Sequence, residues 1–239
     1  MLRTATQHHN TTAQHDQQVL PRLRLGLLCL TPSIPNTTAS RTNHNSGDVC
    51  EDSEVTITPE PWLSPASSLR AVRLVQIPIA DIHELGSGDP QRVAALANGQ
   101  LTPYVRGAEC ERLWEYRSTQ LKATPTDAPW ITRLIVDPGT ATTVGVAGFH
   151  APPNENQMVE FGYRVEPIHR RQGYARASLE TLLAVAAEHP DVRIVRATIS
   201  PDNTASRRLI DQYGFVEVGE QWDDDDGLEI IFEVDARGA

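Results

Sequence analysis

The sequence predicts a single α/β domain with a mixed sheet, covering about residues 66–239 of the 239-residue chain. In this region, short β-branched and apolar runs typical of strands alternate with segments whose apolar residues recur at helical spacing. Pro and Gly residues separate these segments. A chain of this length can form one substantial core and still carry an extension.

The first half of the predicted domain contains a strand, a group of helices and two further strands. Pro78 ends the first strand, and Gly and Pro residues divide the helical segments. A turn at 137–139, Asp-Pro-Gly, stops the second strand. The predicted elements are a strand at 71–77, helices at 79–86, 90–98 and 107–122, and strands at 130–136 and 143–149.

The second half alternates strand, helix, strand and helix, and it ends in a hairpin. The strand at 159–165 has Val159, Phe161, Tyr163 and Val165 on one face. The helix at 175–188 carries an apolar stripe and ends before Pro190. The remaining elements are a strand at 192–199, a short helix at about 203–213 that stops at Gly214, and hairpin strands at 215–218 and 228–234.

Residues 1–65 differ in composition from the rest of the chain. They are rich in Thr, Ser, Asn, Gln, Pro and His and contain one aromatic residue, Trp62. Such a segment buries too little apolar surface to offset its ordering entropy, so a mostly disordered extension is predicted. A targeting peptide is the alternative, because arginines accompany a short apolar run at 23–30. A start of translation further along the chain is a third interpretation.

The charge and the apolar content argue against two classes of partner. The formal net charge is −10, whereas nucleic-acid binders normally carry a basic surface. No stretch approaches the roughly 20 apolar residues that a membrane helix requires. An acidic surface favours cationic partners, and amines are cations at neutral pH.

The cysteines and histidines indicate neither a metal site nor a disulfide framework. Cys29, Cys50 and Cys110 are scattered and odd in number. Half of the eight histidines lie in the first 44 residues, among polar side chains. We therefore predict no metal and a reducing compartment, taken to be the cytoplasm.

The segment 159–175 predicts an anion site. A strand runs into a loop, Arg170-Arg171-Gln172-Gly173, and the loop opens a helix. Unpaired N–H groups and the positive end of a helix dipole converge at such a junction, which suits a pyrophosphate. Gly173 permits close approach of the backbone, and the arginines can add charge-assisted hydrogen bonds. Taken alone, the loop fits equally an ordinary turn with exposed arginines, and it is neither a Walker loop nor a three-glycine fingerprint.

A second motif one strand later makes the loop more informative. Residues 203–215 read N-x-x-S-x-x-L-x-x-x-x-G-F, and residues 160–167 read E-x-G-Y-x-V-x-P. Together with R-x-x-G-x-A at 170–175, they resemble the GCN5-related N-acetyltransferase (GNAT) superfamily. The form of the 160–167 run is most similar to the branch that acetylates ribosomal-protein N-termini. In the order of elements, a weaker resemblance extends over about 70–235.

The resemblance implies a fold and a cosubstrate, acetyl-CoA. The implied sheet is mixed and mostly antiparallel, with flanking helices, and its fourth and fifth predicted strands splay apart. The pyrophosphate is expected on the backbone of about 171–175, and the pantetheine arm along 163–165. The implied cofactor-binding residues are Tyr163, Val165, Arg170, Arg171, Gln172, Gly173, Tyr174, Ala175 and Asn203.

Acetyl transfer to an amine needs a base, because amines are mostly protonated at pH 7. A lysine-like amine has a pKa of about 10.4, and an α-amine one of about 7.7–8. Glu160 is the predicted base, acting directly or through a water. The alternative is an ordinary strand glutamate paired with an arginine, such as Arg164.

The leaving thiolate needs little help, because the pKa of a free thiol is only about 8.5. Many members of the superfamily carry a tyrosine directly after the motif leucine, and this chain departs from that pattern with Ile210. Ser206 is therefore the predicted proton donor. Tyr213 is the alternative donor, or else an aromatic residue of the core.

The predicted function is transfer of an acetyl group from acetyl-CoA to a primary amine by direct attack. A protein or peptide α-amine is the expected acceptor, and a small amine such as a polyamine or aminoglycoside is the alternative. A non-catalytic acyl-CoA sensor stays open because of Ile210 and the long extension. The acidic run at 223–226 fits a solvated turn better than an amine-attracting entrance. The oligomeric state stays open.

Overall fold

Within the described residues, two strands are followed by four α-helices and then by three strands, after which helix, strand and helix lead to a final pair of strands. The computed structural model describes residues 60–96, 99–224 and 227–238. Its strands are β1 (Trp62–Leu63), β2 (Arg73–Gln76), β3 (Arg133–Asp137), β4 (Thr142–Phe149), β5 (Met158–Val165), β6 (Ile194–Ile199), β7 (Val216–Asp223) and β8 (Gly227–Asp235). Its α-helices are α1 (Ile79–Leu85), α2 (Pro90–Ala95), α3 (Pro103–Arg106), α4 (Glu111–Ala123), α5 (Tyr174–Glu188) and α6 (Thr204–Ile210).

The strands form one open sheet in the order β1-β2-β3-β4-β5-β6-β8-β7. The pair β5–β6 is parallel, and the other neighbouring pairs are antiparallel. The crossover from β5 to β6 runs through α5, as a parallel connection requires. The predicted α/β domain with a mixed, mostly antiparallel sheet is therefore confirmed.

A gap opens in the middle of this sheet, between β5 and β6. The two strands pair only at Met158↔Ile194, Val159↔Val195 and Glu160↔Arg196. Beyond Glu160, β5 continues along β4, with Phe161 to Val165 paired to Phe149 to Gly145. This is the splay predicted between the strands at 159–165 and 192–199, and it lies at the start of the loop that precedes α5.

Helices cover both faces of the sheet, which gives two apolar clusters. On one face, α5 packs its Leu179 and Leu182 against Val159 and Phe161 of β5. On the other face, α1, α3 and α4 pack against Leu134 and Val136 of β3 and Val146 of β4. Because strand side chains alternate between faces, Glu160 points away from α5, towards the face that carries α3 and α4.

Several element boundaries differ from the predicted ones. The helix predicted at 107–122 is α4, which begins at Glu111 rather than 107. A separate short helix that was not predicted, α3, precedes it, starting at Pro103 with Thr102 as its cap. The indole N–H of Trp114 in α4 then donates to the Val105 carbonyl at 2.6 Å, which joins the two helices. The first strand of the terminal hairpin extends to Asp223 rather than ending at 218.

The sheet also begins earlier than the boundary predicted at residue 66. Trp62 is buried, with the Arg133 guanidinium 3.7 Å from its ring centroid and the Phe149 ring centroid at 5.7 Å. These contacts attach β1 to the sheet although the local sequence is rich in Pro and Ser. The rest of the predicted disordered extension, residues 1–59, lies outside the described residues.

None of the helices within the described ranges is long and apolar enough to cross a membrane.

Candidate active site

The splay leaves one edge of β5 facing the gap. The Gln157 carbonyl accepts from Ile194 N–H on the β6 side, and the Glu160 carbonyl accepts from His150 N–H on the β4 side. Strand alternation therefore directs the backbone groups of Phe161, Tyr163 and Val165 into the gap. An extended ligand with amide groups can pair with this edge as an additional strand would.

The loop at 170–173, just before α5 and called the anion loop below, adopts the backbone geometry of an anion site. Arg171 has φ 61° and Gly173 has φ 89°, so two left-handed residues lie close together just before Tyr174 opens the helix. Alternating left- and right-handed residues turn successive N–H groups towards one point. Gly173 adopts this conformation at little cost, whereas a residue with a Cβ is strained there. Arg171, Gln172 and Gly173 are all exposed.

Two predicted cofactor side chains turn back onto their own loop. The Arg170 Nε donates to the Val165 carbonyl at 2.9 Å, at the end of β5. The Gln172 Nε2 donates to the Ile168 carbonyl at 3.0 Å. These bonds fix the shape of the loop, and both arginines of the predicted pair are exposed.

Tyr174 and Ala175 contribute to the loop through their backbone positions. The Tyr174 side chain is buried, and its hydroxyl donates to Asp137 Oδ2 at 2.6 Å. This bond, together with two backbone N–H groups, lowers the pKa of Asp137 and anchors the start of α5 to the end of β3. Ala175 packs half-buried against the core on the α5 face.

Arg70 lies beside this loop and was missed in the sequence. Its Nε donates to the Gln172 carbonyl at 3.2 Å, and its guanidinium stacks 4.4 Å from the centroid of the Tyr174 ring. Its Nη1 is 3.6 Å from Asp137 Oδ2. Arg70 precedes Gln172 by 102 residues, so no local pattern indicates that a third arginine belongs to this loop.

The second motif places its polar residues at the start of α6, on the opposite side of the gap from β5. The Asn203 side chain accepts from Ser206 N–H at 3.2 Å and caps the helix. The Tyr163 hydroxyl donates to Ser206 Oγ at 3.2 Å. The structure therefore brings together three predicted site residues: Tyr163 from β5, and Asn203 and Ser206 from α6. Burial raises the pKa of Tyr163 to about 12, so its hydroxyl stays protonated at neutral pH.

The alternative donor, Tyr213, lies elsewhere. Its hydroxyl donates to Glu180 Oε1 at 2.6 Å and accepts from Arg176 Nη1 at 3.0 Å, so it is held by α5. Ile210, at the position where the superfamily often has tyrosine, is fully buried in the core.

Glu160 lies at the residue where β5 and β6 part. Thr198 Oγ1 donates to Glu160 Oε1 at 2.7 Å, and His150 Nδ1 is 3.5 Å from the same oxygen. Burial raises the pKa of Glu160 to about 7, although the Thr198 hydrogen bond and the charge of Arg196 oppose the shift. The Glu229 carboxyl adds to the shift. Glu160 is thus bonded to Thr198 rather than to Arg164, the partner that the alternative interpretation named.

The charged side chains around Glu160 come from β6 and β8, on the other side of the gap. Glu229 of β8 is fully buried and accepts from Gln221 Nε2 at 3.0 Å. Arg196, beside Glu160 in register, is bonded to Glu233 at 2.5 Å. Within the described part of the chain, no three side chains of the His, Cys, Asp and Glu types form a group that could hold a metal ion.

The raised pKa of Glu160 predicts a pH-dependent cost to stability. The folded-state pKa of about 7 exceeds the ordinary 4.5, so the folded state holds the proton more tightly than the unfolded state. The free energy of unfolding therefore falls as pH rises from about 4.5 through 7. The full cost, about 3 kcal/mol, applies above pH 7. Glu160→Gln removes it and should raise Tm by about 6–12 °C at pH 8, but hardly at pH 4.5.

Thermal melts between pH 4.5 and 8.5 check this expectation. Glu155→Gln, in an exposed loop before β5, is the matched control. A constant difference in Tm between Glu160→Gln and the wild-type protein across this range would contradict the raised pKa.

Comparison with known families agrees with this geometry. The Acetyltransferase (GNAT) domain family matches residues 72–216. The chain belongs to this family. The match spans the sheet from β2 to the start of β7, and so includes the gap, the anion loop and α6.

Individual relatives of this GNAT-family protein match over shorter stretches. It is 31% identical over 83 residues to the uncharacterized N-acetyltransferase YjdG of Bacillus subtilis, covering 35% of this chain and 49% of that protein. It is 38% identical over 68 residues to L-2,4-diaminobutyric acid acetyltransferase of Streptomyces anulatus, covering 28% of this chain and 39% of that protein. The chain therefore spans about half or less of the length of these curated relatives.

Solved structures share the fold over a larger part of the chain. A ribosomal L7/L12 alpha-N-protein acetyltransferase in complex with coenzyme A superposes with a TM-score of 0.50 and 19% identity. The superposition covers 74% of this chain and 99% of that one. At this identity the likeness shows the fold alone.

Proposed function

We propose that this GNAT-family protein is an enzyme that transfers an acetyl group from acetyl-CoA to the α-amine of a peptide or protein. The observation that carries the proposal is Glu160, a largely buried carboxyl with a pKa of about 7 at the point where β5 and β6 part. A base with that pKa is ionised in about half of the molecules at neutral pH. It can therefore accept a proton from an incoming ammonium group.

The gap and the loop supply the cofactor site in this proposal. The N–H groups of 171–175 and the Arg171 side chain bind the pyrophosphate. The pantetheine amides pair with the β5 edge at Tyr163 and at the Val165 N–H, since the Val165 carbonyl already accepts from Arg170. Asn203 and Ser206 flank the arm from α6. The bound CoA in the ribosomal-protein acetyltransferase that shares the fold supports this choice of ligand.

The lower pKa of an α-ammonium group favours an α-amine over a lysine-like amine as acceptor, whichever base accepts the proton. Moving a proton from an α-ammonium of pKa about 8 to a carboxylate of pKa about 7 costs about 1 kcal/mol. The same transfer from a lysine-like ammonium of pKa about 10.4 costs about 5 kcal/mol. Glu160 therefore generates the neutral nucleophile with much less cost from an α-amine.

The transfer balances with these groups. Glu160 takes one proton from the ammonium, and the free amine attacks the thioester carbon. The C–N bond forms, the C–S bond breaks, and its electron pair leaves on sulfur. The nitrogen then loses a second proton, which neutralises the thiolate, and Glu160 returns its proton to water.

A panel of acceptors tests the proposal by free-thiol release from acetyl-CoA. Peptides with a free α-amine should turn over at neutral pH, and the same peptides with a blocked N-terminus and an internal lysine should not. Gly173→Ala, which strains the loop, should raise the KM for acetyl-CoA with every acceptor. Tight binding of acetyl-CoA without release to any acceptor would overturn the enzyme in favour of a sensor.

A small diamine is the second candidate acceptor. The 38% identity to an L-2,4-diaminobutyric acid acetyltransferase supports it. Diaminobutyrate and spermidine therefore belong in the same panel. Faster turnover of either than of every free-N-terminus peptide would replace the proposed acceptor while keeping the enzyme.

A cytoplasmic location is part of the proposal and rests on the cysteine pattern alone.

A further inference from the structure

We propose that the Tyr163 hydroxyl is the hydrogen-bond donor to the leaving sulfur of CoA and that Ser206 positions it. The inference rests on the proposed acetyl transfer. It assigns to a residue of β5 the role that the sequence alone assigns to Ser206.

The first argument is the place of the two hydroxyls. Tyr163 lies in β5 three residues beyond Glu160, where the β5–β6 pairing has already ended. Its hydroxyl lies 3.2 Å from Ser206 Oγ in the first turn of α6. The bond therefore links the β5 side of the gap to α6. Three residues of strand correspond to about 10 Å, so this pair lies between Glu160 and the anion loop. The sulfur of a cofactor that extends from the loop towards Glu160 passes through this interval.

The second argument is the orientation of the Tyr163 ring. The ring stacks on Phe161 at a centroid distance of 6.4 Å and an interplanar angle of 18°. Phe161 is fully buried, so it holds the ring in place. Ser206 accepts from the hydroxyl, and its own N–H is held by Asn203. The phenol is thus supported at both ends before any ligand arrives, and a prearranged donor costs little reorganisation when charge develops.

The third argument is the state of the other hydroxyl groups near α6. Ser206 and position 210 lie four residues apart, on one face of the helix, and position 210 is a buried isoleucine. Tyr213 is bonded to Glu180 and Arg176. Tyr163 differs from Tyr213 in that its hydroxyl contacts this face of α6, at Ser206.

The leaving sulfur needs a hydrogen-bond donor and does not need a complete proton transfer from Tyr163. As the C–S bond breaks, the electron pair moves onto sulfur, and a phenol O–H in contact with it stabilises the negative charge. Tyr163 keeps its proton, since the pKa of the phenol is well above that of a thiol. The hydroxyl turns from Ser206 Oγ to sulfur and back within one turnover.

The thiol pKa of bound product CoA tests the inference directly. It is measured by pH titration of thiolate ultraviolet absorbance in the complex with CoA, with the desulfo-CoA complex as blank. A donor that prefers the thiolate should lower the pKa of the bound thiol by about one unit from the free value of about 8.5. Tyr163→Phe should return it to the free value, and Ser206→Ala should give an intermediate value. With a peptide acceptor, Tyr163→Phe should lower kcat about 10- to 100-fold, while the KM for acetyl-CoA changes less than twofold.

The outcomes separate this inference from the proposed function. Equal thiol pKa values in the wild-type protein and Tyr163→Phe, with CoA still bound, would overturn the sulfur contact alone. An equal loss of affinity for CoA and desulfo-CoA in Tyr163→Phe, without a change in thiol pKa, would assign Tyr163 a structural role instead. Failure of the wild-type protein to bind CoA would overturn the proposed function together with the inference.

Discussion

Glu160→Gln is expected to lower kcat/KM for acetyl transfer about 100- to 10,000-fold at neutral pH, the range by which a positioned base accelerates proton transfer. Glutamine keeps the size of the side chain and can still accept from Thr198 Oγ1, which lies 2.7 Å from Glu160 Oε1. The substitution therefore removes the ability to take a proton while it keeps the size of the side chain and its bond to Thr198. Binding of acetyl-CoA should be unchanged, since the anion loop and the β5 edge are untouched.

The pH profile distinguishes the base from a merely structural glutamate. In the wild-type protein, kcat/KM should rise with pH as Glu160 ionises with its pKa of about 7 and as the acceptor loses its proton. In Glu160→Gln, the rise in kcat/KM that follows the ionisation of Glu160 should be absent. The residual rate should increase towards high pH as the free amine becomes abundant. Glu155→Gln serves as the control. Wild-type rates in Glu160→Gln at pH 7 would remove Glu160 from the mechanism and leave the fold assignment intact.

Gly145→Ala is expected to destabilise the protein by about 3 kcal/mol, which corresponds to a fall in Tm of about 6–12 °C. A Cβ at Gly145 would lie 2.0 Å from the Arg164 carbonyl oxygen and 3.0 Å from the Val165 Cα. Both are backbone atoms of the paired strand, so no side chain can move aside. Strands β4 and β5 must separate at the end that leads into the anion loop. Arg170, bonded to the Val165 carbonyl, would be displaced as well.

Gly219→Ala is the matched control for this substitution. Gly219 also lies in a strand, but a Cβ there meets no atom within 4 Å. Thermal melts should therefore place Gly219→Ala within about 0.5 kcal/mol of the wild-type protein, as is usual for surface changes. The KM for acetyl-CoA should rise in Gly145→Ala and not in Gly219→Ala. Equal melting temperatures for the two variants would contradict the close contact of β4 with β5.

The sequence predicted most of the fold because its signals act over a few residues. The stripe of the helix at 175–188, the alternation at 159–165 and the stop at Gly214 each reflect a local periodicity or a single backbone conformation. Trp62 is a residue whose placement these local signals did not predict. Its segment looks unstructured by composition, yet contacts with Arg133 and Phe149 bury it in the sheet.

Sequence alone predicted the shape of the loop before α5, the capped start of α6, and Glu160 as an acid-base candidate. Each follows from residue types at short spacing, because hydrogen bonds of loops and caps join near neighbours. The contacts that these groups make with distant residues could be read only from the folded chain. Glu160 meets Thr198 across 38 residues, Tyr163 meets Ser206 across 43, and Arg70 meets Gln172 across 102. The pKa of a carboxyl and the partner of a hydroxyl depend on burial and on distant charges, which exist only once the strands have paired and then parted.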